Sequence, residues 1–258
     1  MSEKYLRTYE EDTKQCKLYK EMYKNQNLDY VLKMKKKYSR LDNVKMSMNK
    51  ALSLLDSFVD PSDPDVDEPN SVHAYQTAER IRKKYPDNRE YQIIGLIHDI
   101  GKVLFTFDEP DYAVVGDTFV VGCKLPTKMV YYEHTKEHPD RNVDLLGIYN
   151  NCCGLDNLNI SFGHDEYLYQ VLKQNSDKHH ILEDYWNIIR YHSFYPWHSK
   201  GDYIYFMNNS DYDKLKLVKE FNEFDLYSKE DTDLEITDEI KKYYDNLINE
   251  FFKGDLQW

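Results

Sequence analysis

Nine glycines in 258 residues are the strongest constraint on what this chain can fold into. So few positions that accept left-handed backbone disfavour turn-dense β architectures and glycine-rich loops, and favour helices. The hydrophobic pattern agrees. Cys16, Tyr19, Tyr23, Tyr30, Met34 and Tyr38 recur at helical spacing across residues 11–38, with lysines between them. Ser47 is placed to cap a second helix through Phe58, with Leu52, Leu55 and Phe58 on its apolar face. The run DPSDPDVDEPN, residues 60–70, holds three prolines and five acids and punctuates the chain. Ser71 is a candidate cap for a helix to about Lys84, and REYQIIGLIHDIGK forms the next helix, stopping near Gly101. Residues 103–127 change character: VVGDTFVVGC reads as a short β hairpin or irregular excursion around 112–122. Helical patterns resume at 142–150, 165–175, 182–193, 211–227 and 237–252. The expected fold is all-α, a single helical domain over residues 1–258 with eight to ten helices.

Charge and cysteine usage narrow the function. The formal charge of −12 repels phosphate backbones, so no nucleic-acid partner is expected, while a small neutral or anionic substrate in a local pocket stays open. No stretch approaches a membrane span and MSEKYLRTYEEDTK has no apolar leader, so no membrane partner is expected and a cytoplasmic location is. Cys16, Cys123, Cys152 and Cys153 show no CxxC spacing and read as reduced thiols. A monomer of this size buries a full core unaided.

The histidines carry the chemistry. Of nine, His134, His138, His179 and His180 lie in charged stretches and read as solvated. His73, His98, His164 and His192 adjoin apolar helical segments, and His98 and His164 are each followed directly by aspartate. Imidazole and carboxylate together suit Fe, Mn, Co or Zn, and a carboxylate can bridge two cations. Two metals, one metal, or buried histidines without metal are all compatible with this pattern. Lys102, four residues after His98, is either a partner on the same face or a surface lysine at a helix C-terminus.

Six segments in order, SDPDVDEPNSVHAYQTAE, GLIHDIGKVL, VVGDTFVVGC, CGLDNLNISFGHDEYLYQV, IIRYHSFYPWH and FNEFDLYSK, closely resemble the myo-inositol oxygenase family of the HD-domain superfamily. The resemblance runs from about Tyr5 to Trp258. It implies a compact helical fold and two iron ions, mixed-valent Fe(II)/Fe(III) when active. It also implies an O₂-dependent cleavage of the C1–C6 bond of myo-inositol that gives D-glucuronate and water. Carried over motif by motif, it implies His73, His98, Asp99, His164, His192 and Asp225 as metal ligands. Asp99 would bridge, with His73, His98 and Asp225 on one iron and His164 and His192 on the other. Lys102 matches the lysine at the reacting hydroxyl, and substrate contacts fall on Arg7, Asp60, Ser62, Gly116, Asp117, Ser193 and Lys229. Cys152, Val121 and Ser228 depart from common family residues, and none is an implied ligand.

These residue types suit that chemistry. A cyclitol loses many water hydrogen bonds on binding, and a mixed set of donors and acceptors replaces them. Two carboxylates with four neutral imidazoles place little negative charge on the metals and disfavour full oxidation. No GxGxxG occurs, so neither NAD nor flavin is expected. The competing enzyme reading is an HD-type metal-dependent phosphohydrolase or phosphodiesterase, which predicts Arg and Lys clustered at the metals. A catalytically idle metal-binding module would lack a ligand or the lysine.

Overall fold

The computed structural model describes residues 12–63, 68–228 and 235–258. Ten α-helices and a minimal two-stranded pairing make up the regular structure among them, and the fold is mostly helical, as the sequence predicts. No described helix is long and apolar enough to cross a membrane.

The periodic stretch 11–38 forms two helices, α1 (Lys14–Asn25) and α2 (Leu28–Lys37). Asn27 divides them because its side chain accepts from the Tyr30 N–H and caps α2. Gln26, fully buried at the break, donates to the carbonyls of Tyr112 and Phe162 (2.9 and 2.6 Å) and accepts from the Phe162 N–H (2.9 Å). Strand β1 (Lys45–Met46) precedes α3 (Met48–Leu54), which Ser47 caps as expected. A 3₁₀ turn over Leu55–Ser57 completes the path to Phe58.

Helix α4 (Asn70–Lys84) starts one residue before the expected cap. Pro69, extended at the N-cap, sets the entry, so Ser71 lies within the first turn. Helix α5 (Arg89–Ile97), capped by Asn88, packs on α4 where Gly95 meets Ala78 and Ile81; a Cβ there would stand 2.7 Å from Ile81 Cδ1. Helix α5 ends at Ile97, and the chain continues past Gly101 as a 3₁₀ run over Ile100–Phe107.

Of the two readings for residues 112–122, the structure has the irregular excursion and no hairpin. After a 3₁₀ turn at Asp111–Ala113 the segment runs alongside residues 159–161, through a single bridge between Val120 and Ile160 and bonds at 2.7–2.9 Å. Gly116 and Gly122, at φ of 100° and 84°, turn the chain away from a ladder. Residues 142–150 form no helix either. Gly147 at φ 54° lies directly on Gly122 and Cys123, and the Ile148 N–H bonds the Gly122 carbonyl. That local contact overrides the short apolar pattern.

Of the later helices, α6 (His164–Gln174), α7 (Glu183–Tyr191), α9 (Asp211–Ser228) and α10 (Asp238–Phe251) match the expected positions closely, while the single turn α8 (Tyr195–His198) was not foreseen. Strand β2 (Leu256–Gln257) pairs antiparallel with β1, and the buried Trp258 donates its indole N–H to the Met46 carbonyl. The main core runs through the α1–α7 and α10 faces. A second apolar cluster, including Tyr191, Phe194, Trp197 and Phe206, supports the segment after α7.

His138 and His179, read as solvated, are buried. Each uses both ring nitrogens on backbone. His138 donates from Nε2 to the Gln26 carbonyl and accepts from the Asp140 N–H, and His179 does the same with Leu172 and Ile181. Charged neighbours in sequence say nothing about such paired imidazoles.

Gln26→Ala should strip three buried backbone groups of their partner and lower unfolding stability by about 2–3 kcal/mol. Urea denaturation measures this as a reduced midpoint at unchanged slope. An unchanged midpoint would show that Gln26 carries no such role.

Candidate metal centre and adjoining pocket

Three histidines have their orientation fixed by backbone. Helices α5 and α7 each end in a C-cap histidine, His98 and His192. Each ring Nδ1 lies near the carbonyl three residues back, Gly95 at 2.8 Å and Ile189 at 3.0 Å. That contact satisfies a carbonyl left over at the helix end and assigns the proton to Nδ1. His164 opens α6, and both its backbone N–H and its Nδ1 donate to the Val114 carbonyl. All three rings therefore turn an unprotonated Nε2 inward.

Those lone pairs converge. His164 Nε2 and His192 Nε2 stand 3.1 Å apart, and His98 Nε2 is buried without a hydrogen-bond partner. Facing lone pairs at that separation repel unless a cation lies among them. The donor set thus fits a bound metal on its own geometry.

The carboxylates divide the histidines into two pairs. Asp99 Oδ1 faces His164 and His192 at 3.2 and 3.5 Å, while Oδ2 faces His98 and His73 at 3.6 and 3.8 Å. Asp225, from the last turns of α9, places Oδ1 2.9 Å from His73 Nε2, the α4 histidine, and 3.5 Å from His98 Nε2. The six side chains implied by the sequence resemblance meet in one buried cluster in which Asp99 faces both histidine pairs, and Asp165 lies within the same cluster beside His164 and His192.

Burial alone would raise the Asp99 carboxyl, but Lys102 and His98 hold it well below the usual range. Burial likewise opposes ionisation of Asp225, and His73 and His98 hold its carboxyl well below that range.

Lys102 is buried, not a surface lysine at a helix end. Because α5 has already ended, the 3₁₀ turn bonds the Lys102 N–H to the Asp99 carbonyl and folds its side chain back over Asp99. Its ammonium donates to Asp99 Oδ2 at 2.8 Å and Asp60 Oδ2 at 2.7 Å. Burial opposes its charge, and Asp60 and Asp99 more than restore it, raising its pKa above the lysine norm. Gly101 makes this turn possible: a Cβ there would lie 2.1 Å from the His164 carbonyl oxygen. The glycine lets the Asp99–Lys102 turn sit against the start of α6.

A pocket opens beside this cluster. Asp60, Ser62, Lys102, Gly116, Asp117 and Ser193 all line it. Asp60 Oδ1 accepts from both the hydroxyl and backbone N–H of Ser62, and Asp117 Oδ1 accepts from the Tyr19 hydroxyl. Arg7 and Lys229, also implied as substrate contacts, lie outside the described residues. Asn70, Asp63, Glu68 and Tyr195 line the pocket too and were not foreseen. Asn70 donates to Asp99 Oδ2 at 3.0 Å; its spacing of three from His73 on one helix was the available signal. Asp165, fully buried next to His164, was likewise passed over, although it completes the second His-Asp dipeptide.

Comparison with known proteins supplies the family context. The family model described as "Myo-inositol oxygenase" matches residues 12–258. An "Inositol oxygenase" from Danio rerio is 48% identical over 246 residues, covering 93% of this chain and 87% of that protein. The Homo sapiens "Inositol oxygenase" is 45% identical, with 93% and 85% covered. "Inositol oxygenase 1" from Arabidopsis thaliana is 42% identical, with 98% and 84% covered.

Asp225→Asn should cut bound metal, because the amide cannot supply the negative charge that His73 and His98 lack. Metal analysis after anaerobic loading with Fe(II) and gel filtration should show clear loss relative to wild type. Full occupancy in the variant would remove Asp225 from the centre.

Proposed function

Since the chain belongs to the myo-inositol oxygenase family, we propose that it uses O₂ to cleave the C1–C6 bond of myo-inositol. The products are D-glucuronate and water, and two iron ions are held by His73, His98, Asp99, His164, His192 and Asp225. The observation that carries the reading is Asp99, whose two oxygens face two separate histidine pairs while Lys102 holds it from the pocket side. When bound, the iron pair would supply electrophilic activation of a substrate oxygen and electrons for O₂.

The chain's own residues prepare the substrate. An ammonium has three N–H donors, and Lys102 uses two on Asp60 and Asp99, leaving one for a hydroxyl oxygen. Held so, it favours the alkoxide form of that oxygen without reorganising during the reaction. Asp60, fixed by Ser62, orients the ammonium and keeps it charged. Asp117 and Ser193 stand where ring hydroxyls can exchange water for directed hydrogen bonds. Burial of Ser62, Lys102 and Ser193 limits bulk water around the ammonium and strengthens its interactions.

The phosphohydrolase reading predicts basic residues around the metals. The described pocket lining instead holds Asp60, Asp63, Glu68 and Asp117, with Lys102 already committed to two carboxylates. That field opposes a phosphate ester and suits a neutral polyol.

The test is inositol-dependent O₂ consumption by the iron-loaded, reduced protein. Lys102→Ala should keep its iron and lose turnover by roughly 10²–10³-fold per bound iron, the scale of a lost oxyanion donor. Lys102→Arg should not restore the rate, because a planar guanidinium cannot take the place of a compact ammonium. Near-wild-type turnover in Lys102→Ala would reject the catalytic role. Phosphate release from esters without inositol-dependent O₂ uptake would reject the function.

A further inference from the structure

Asp165 is a buried carboxylate that neither the ligand set nor the substrate pocket uses. It is fully buried, and no hydrogen bond of good geometry from the described residues reaches either oxygen. Its nearest ring nitrogen is the outer edge of His192: Asp165 Oδ1 lies 3.0 Å from His192 Nδ1, and 3.5 Å from His164 Nε2. The same nitrogen lies 3.0 Å from the Ile189 carbonyl, which takes its proton, so Asp165 stands beside that N–H without accepting it. By contrast, the outer nitrogens of His98 and His164 meet only the carbonyls of Gly95 and Val114.

The two histidine pairs differ in charge in a way that gives this contact a purpose. His73 and His98 have Asp225 in addition to the shared Asp99. His164 and His192 face the shared carboxylate at their inner nitrogens, and the second acid near them is Asp165, whose Oδ1 also stands 3.5 Å from His164 Nε2. We propose that Asp165 is a positioning residue for the His164–His192 half of the centre. Standing beside His192 Nδ1 and near His164 Nε2, it favours the proton on His192 Nδ1 electrostatically, makes Nε2 a stronger donor, and supplies this half with the negative charge that Asp225 gives the other. A carboxylate behind a metal-bound imidazole raises the ligand's basicity and fixes its ring, and losing one typically costs 10–100-fold in metal affinity. An ionised carboxylate buried without full hydrogen bonding is costly to the metal-free fold, so its retention fits a role that appears when a cation is bound.

This inference rests on the metal-centre reading above, and the test separates the two. Asp165→Asn keeps the shape and removes the charge. Co(II) serves as a spectroscopic probe of both halves, titrated into full-length wild type and variant, with thermal unfolding of the metal-free proteins alongside. The expected result is a biphasic wild-type titration. In the variant one phase should weaken by roughly 10–100-fold and the other stay unchanged. The metal-free variant should melt at the same temperature as wild type or higher, because a buried charge has gone. Asp165→Glu should not restore the weakened phase, since its longer side chain cannot keep the 3.0 Å contact. Equal Co(II) affinities in wild type and Asp165→Asn would overturn the proposal. So would a metal-free variant that melts well below wild type with both phases intact, which is the signature of a purely structural residue. A wild type that binds no Co(II) or Fe(II) would overturn the metal-centre reading and this inference together.

Discussion

One carboxylate ties the centre together. Asp99 turns one oxygen to His164 and His192 and the other to His73 and His98, and its second oxygen is also held by Lys102 and Asn70. It can do so only because α5 stops at Ile97 and the chain tightens into a 3₁₀ run. Gly101 allows that tightened turn to rest on the His164 carbonyl, which brings α6 to the same point. Helices α4, α6, α7 and α9 then each deliver their ligand to a place already set by α5.

Charge balance explains the surroundings of this carboxylate. A buried Asp99 needs a partner before any substrate arrives, and Lys102 supplies it while remaining charged through Asp60. The pocket therefore presents a cation already paid for in desolvation, a neutral-to-acidic wall, and hydroxyl-sized polar groups. A neutral polyol meets no repulsion there. The histidines follow the same logic: backbone carbonyls fix the tautomers of His98, His164 and His192, so their lone pairs face inward without further adjustment.

Much of this was legible in the sequence, and the parts that were not have physical reasons. Helical spacing found the long elements, and Ser47 capped α3 as read, because periodicity and capping are local. The inward histidines stood out because imidazoles beside apolar runs are unusual. Their grouping into two pairs depends on packing of five helices and was accessible only through resemblance to a family. Local reading missed the Asn27 cap that splits the first helix, and it failed at 142–150, where Gly147 docks on Gly122; between the two readings of 112–122 it could not choose, because bonds to 159–161 decide. It failed for His138 and His179 because backbone groups satisfy both ring nitrogens of each, which charged neighbours in sequence do not reveal. Lys102 was ambiguous for a related reason, since its burial follows from the early end of α5, which no pattern in IIGLIHDIGK marks.

The most direct test of the shared-carboxylate account is metal stoichiometry in the wild-type chain. Anaerobic titration with Fe(II), followed by iron and protein analysis of the desalted sample, should saturate at two irons per chain, with Asp99 between them. Saturation at one iron in protein that consumes O₂ with inositol, or no retained iron, would contradict it.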